Sequence, residues 1–84
     1  MSTPMHTRAL LAALAAPAHT LHRCRGGFRD AATPLVVHTR RTANALVDAG
    51  DATFDDANCP STITLTAAGV ARAQLLRDAQ GVAA

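Results

Sequence analysis

The chain has no tryptophan and no tyrosine, and only two phenylalanines. An interior built around large rings is therefore closed to it, and the core must come from Leu, Val, Ile and Ala. Lysine and glutamate are missing too, so every cation is Arg and every anion is Asp. Guanidinium suits forked contacts with phosphate and guanine, whereas a genome rich in G and C gives the same bias without any ligand. The two cysteines, Cys24 and Cys59, form neither a CxxC pair nor a disulfide framework, which reads as a cytoplasmic chain with reduced thiols. No apolar run approaches the roughly 18 residues that cross a bilayer. Paired Glu residues, a nucleophile elbow and a Gly-rich phosphate loop are lacking. Asp55 and Asp56 are neighbours on an expected strand, so their side chains diverge. Neither an enzyme nor a cofactor is expected.

What is present fits one domain, because 84 residues bury only about 60% of their unfolded surface and cannot support two cores. The net charge of +2 conceals an asymmetry. Residues 1–42 hold Arg8, Arg23, Arg25, Arg29, Arg40 and Arg41 against Asp30 alone, while Asp48, Asp51, Asp55, Asp56 and Asp78 outnumber Arg72 and Arg77 in the remainder. Any attraction for a polyanion belongs to the first half. Met1 to Ala18 also imitates a secretory signal, with Arg8 before an Ala/Leu run and Ala16-Pro17-Ala18 as the cleavage-like site. That run is weakly hydrophobic, and Thr3-Pro4 supplies a helix cap and first-turn proline, which favours an ordinary helix. His19, His22, His38, Cys24 and Cys59 lack the spacing of zinc ligands, so no metal is expected.

A helix is predicted over 4–16, with Leu10, Leu11 and Leu14 as its buried stripe and Pro17 as its stop. Residues 19–38 read as extended. Leu21 to Arg25 alternates, Gly26-Gly27 allows a turn, and Leu35-Val36-Val37 is apolar and largely β-branched. Thr39 caps a second helix, 40–49, closed by Gly50. Its projection puts Arg40, Arg41, Asn44 and Asp48 on one side and Ala43, Leu46 and Val47 on the other. A hairpin over 52–65 follows, then a helix over 67–79 capped by Thr66. On that last helix Ala68, Ala71, Leu75, Leu76 and Ala79 share a side, into which Arg72 projects and opposite which Val70 lies.

This order resembles a winged helix-turn-helix domain. Residues 39–50 look like its recognition helix, and Ile63-Thr64-Leu65-Thr66-Ala67-Ala68-Gly69 is similar to the I-x-L-T-x-x-G passage from wing to last helix. The resemblance spans about 45 residues and implies a small winged-helix-like α+β fold, with three helices and a C-terminal β-hairpin wing, the wing and its L-T-x-x-G-like junction together taking residues 51–69. In place of the middle helix stand Gly26-Gly27, Pro34 and a β-branched run, so short strands are the expected replacement. The wing carries Asp51, Asp55 and Asp56, which repel a phosphate backbone, and Asp51 stands where an apolar pair is usual. The implied function is double-stranded DNA binding, as a small regulator or mobile-element protein. Arg40, Arg41 and Asn44 would meet the major groove and Arg23 and Arg25 the phosphates. The alternatives are a solvated helix face, an edge strand protected by charge, and a protein-interaction or dimerisation module whose acidic wing meets a basic partner. A homodimer through the first and last helices would raise an otherwise weak affinity.

Overall fold

The computed structural model describes residues 5–30, 36–56 and 58–82. Its elements are α1 (Met5–Ala15), β1 (Thr20–Cys24), β2 (Gly27–Arg29), α2 (Arg40–Asp48), β3 (Ala52–Phe54), β4 (Thr62–Leu65) and α3 (Ala67–Val82). The four strands form one antiparallel sheet in the order β2-β1-β4-β3. This is a small α+β fold of three helices against one sheet. The predicted cap Thr3-Pro4, and Pro34 and Leu35, lie outside the described residues.

Strand alternation decides which side of the sheet is covered. Leu21 pairs with Ile63, Phe54 with Ile63 and Ala52 with Leu65, and these side chains face the helices. Thr20, His22, Thr62, Thr64 and Thr53 fall on the other side, where the Thr20 and Thr64 hydroxyls hydrogen-bond at 2.9 Å. On α1 the buried residues are Ala9, Leu10 and Ala13, with Leu11 and Leu14 only half-buried. Small side chains at i and i+4 let α1 approach closely, and α1 packs chiefly against α3 and α2. A tight turn over Pro17–His19 ends it. Ala18 and His19 there take positive φ, and the His19 ring donates from Nδ1 to the Leu14 carbonyl at 3.1 Å.

Three expectations are corrected. The buried side of α3 runs through Gly69 and Ala73, with Val70 and Leu76 partly covered, whereas Ala68, Ala71, Leu75 and Ala79 are exposed. Val70 therefore lies inward, and Arg72 borders the core instead of interrupting it. Among the described residues there, Val36 and Val37 are exposed while the following His38 is buried, bridging Phe28 through two 2.8 Å backbone hydrogen bonds. The third concerns Asp51, which is buried, not displayed on the wing. Its Oδ1 lies 3.4 Å from Arg72 Nε, and its Oδ2 lies 3.5 Å from His6 Nε2 without a hydrogen bond. The first and last helices, whose apolar surfaces were assigned to a dimer, pack against each other within the chain.

Candidate functional site

The site grows from the start of α2. Thr39 leaves the helix with extended dihedrals, and its Oγ1 accepts the Thr42 amide at 3.3 Å, which fixes where the first turn begins. Thr42, Ala43 and Leu46 are buried, and this anchoring leaves Arg40, Arg41, Asn44 and Asp48 exposed. The helix ends at Ala49, and Gly50 follows with φ of +81°.

Arg40 is held by neutral groups. Its Nε donates to Asn44 Oδ1 at 3.1 Å, one helical turn on, and its guanidinium carbon sits 5.0 Å from the centre of the Phe54 ring. Phe54 in turn stacks on Phe28, with ring centroids 5.9 Å apart. The chain's only two aromatic residues, on the two opposite edge strands, thus meet over the inner face and form a platform beneath Arg40. Sequence reading placed the arginine but missed the platform, because the pairing of residues 28 and 54 depends on the curvature of the sheet.

Arg23 comes from the far end of β1. It pairs with Phe28, and its amide donates to the Ser61 carbonyl at 2.8 Å. Its Nη1 lies 3.7 Å from Cys59 Sγ, in the loop between β3 and β4. An open pocket of about 180 Å³ lies between this strand end and α2, lined by Arg23, Cys24, Gly26, Gly27, Phe28 and Arg40. Gly27 is required there, since a Cβ on it would lie 2.0 Å from the His38 carbonyl oxygen. Arg25 was expected to share the strand face of Arg23. The strand stops at Cys24, so Arg25 occupies the exposed turn with Gly26 beside the pocket, not in it.

Neither Arg23 nor Arg40 has a carboxylate partner among the described residues. The nearby loop carries Asp55 and Asp56, but their carboxylates fold the loop itself. Asp55 Oδ1 accepts the Ser61 and Thr62 amides at 2.8 and 3.0 Å, and Asp56 Oδ1 accepts those of Asn58 and Cys59. The Thr62 and Ser61 amides hold the Asp55 carboxyl below its ordinary range. Burial pushes His38 in the direction of the neutral form, lowering its pKa. Among the described residues no three His, Cys, Asp or Glu side chains gather as a metal site, and no helix is long and apolar enough to cross a membrane. Compared with known proteins, the chain matches no family model, no curated protein and no solved structure.

Proposed function

We propose that the protein is a DNA-binding module of winged-helix-like design, with α2 presented to the major groove. The observation that carries this reading is the merging of two separate basic stretches of sequence. Arg23 and Arg40 line one pocket, and Arg41 and Asn44 continue the same exposed surface along α2. Guanidinium groups and an amide one turn apart match phosphate oxygens and base edges. The β1–β2 hairpin stands where that design has its middle helix.

Fluorescence anisotropy with a short random-sequence duplex tests it. At about 50 mM salt the wild type is expected to bind saturably, more weakly as salt rises, and Arg40→Ala/Arg41→Ala is expected to lose about tenfold or more in affinity. Circular dichroism confirms that the variant keeps its helices. Failure of the wild type to bind at that salt, or wild-type binding by the folded variant, sinks the reading.

A further inference from the structure

Two like charges on one pocket favour an anion placed between them, the more strongly as water is displaced. In this protein two guanidiniums from distant parts of the chain border one pocket, Arg23 from β1 and Arg40 from the first turn of α2. Their side-chain contacts among the described residues are neutral: a thiol for Arg23, and an amide oxygen and a ring face for Arg40. Carboxylates meet Arg72 and Arg77 elsewhere in the described chain, through Asp51 and Asp78, and what sets Arg23 and Arg40 apart from the other arginines is that they share one pocket. This pair is also positioned. Arg40 is fixed by Asn44 and Phe54, and Arg23 is fixed at its backbone by Ser61.

We infer that this pocket is a seat for a single phosphate group, gripped between the Arg23 and Arg40 guanidiniums. Its volume of about 180 Å³ equals several water molecules at about 30 Å³ each, enough for a tetrahedral oxyanion. Guanidinium offers paired N–H donors that match two phosphate oxygens. The free amides at the start of α2 add favourable field at the same end. The phosphate can belong to a duplex backbone or to a small phosphorylated ligand. The inference deepens the nucleic-acid reading of this face, resting on it for the source of the phosphate but not for the seat. It also divides the labour on α2. With Arg40 turned to phosphate and Asn44 Oδ1 accepting from it, Arg41 is the side chain left to meet a guanine edge.

Two arms test this. In the first, amide and arginine Nε resonances of the full chain are followed while inorganic phosphate replaces chloride at constant ionic strength. Saturable shifts confined to residues around Gly27, Phe28 and Arg40 are expected, weakened at least tenfold in Arg23→Ala and in Arg40→Gln, and unchanged in Arg77→Ala. Arg23→Lys, which keeps the charge and loses the fork, is expected to fall between. In the second arm, the slope of log affinity against log salt for a random duplex is expected to drop by about 1 in Arg23→Ala. Seating of phosphate together with the reduced slope assigns the pocket to the DNA backbone. If phosphate seats while the duplex is not bound, the seat stands for a small phosphorylated ligand and the DNA reading alone fails. If the shifts are diffuse, or survive in Arg23→Ala, phosphate is an adventitious ion only and the seat is overturned, whatever the duplex does.

Discussion

Asp51 shows how a single residue can hold three elements at once. Its amide donates to the Leu46 carbonyl and its own carbonyl accepts from the Thr66 amide, so the backbone here joins the end of α2 to the start of α3. The carboxylate, 1% exposed, meets Arg72 on α3 and lies near His6 on α1. A carboxylate in that position is costly unless paired, and the half-exposed Arg72 pairs its Oδ1 while Oδ2 is left without a hydrogen bond. Gly69 completes the arrangement by lacking a side chain, since a Cβ on it would fall 1.8 Å from the Asp51 carbonyl oxygen. The obstacle is backbone, which cannot swing aside as a flexible side chain would. Gly69→Ala is therefore expected to destabilise the fold by about 2 kcal/mol or more, although Ala is the better helix former. Urea unfolding measures it, and a stability equal to wild type would show that α3 is not seated against this turn. The helix-end glycine, the aspartate after it and the glycine three residues beyond Thr66 are all visible in the sequence, but their mutual contact is not.

At the level of elements, helix and strand existence was legible where local chemistry decides it. Thr39 and Thr66 cap their helices through side-chain oxygens, and the Leu-Thr junction into α3 coincides with Thr66 accepting the Gly69 amide. Burial was legible where one side of an element is clearly apolar, as on α2. It was not legible on α3, whose abundant alanines fit either side, and the close approach of Gly69 to the Asp51 backbone marks the side that turns inward. Val36 and Val37 likewise look like a core strand and lie exposed. The β3–β4 loop was expected to repel ligands through its acids, and its hydrogen bonds give those acids a structural task. Asp55 has its pKa lowered by the Thr62 and Ser61 amides. Ionised, it helps to hold the loop at pH above its ordinary value of 3.8, and that contribution is lost as pH falls through the depressed folded value. A carboxyl titration by NMR should find Asp55 with a midpoint below 3.8, accompanied by shifts at the Ser61 and Thr62 amides. In Asp55→Asn those amide shifts should vanish, and their persistence would contradict the assigned bonds.

The whole molecule balances a thin interior against an uneven surface. Of the buried apolar residues, Ala9, Ala13, Ala16, Ala43, Ala52 and Ala73 contribute little area each, leaving Phe28, Leu10, Leu21, Leu46 and Ile63 as the largest apolar groups at its centre. A domain of this size and core sits at the lower end of the usual stability range of about 5–15 kcal/mol. Small protonation costs are then visible as a change in the global unfolding transition. His38 is the group to watch, being 5% exposed and bridged by its backbone to Phe28 at the middle of that interior. Burial lowers its pKa from the ordinary 6.5, so the folded state binds its proton less readily than the unfolded chain does. Its contribution to stability is complete above 6.5 and is lost as pH falls through the folded value. Wild type should therefore unfold at lower urea as pH drops from neutrality to about 5, and His38→Leu should show a smaller decline across that window. The comparison of the two slopes isolates His38 from the other three histidines and from the carboxylates. Equal slopes would place the imidazole in water, and the bridge that closes the Gly27 side of the pocket would then lack the buried anchor described above.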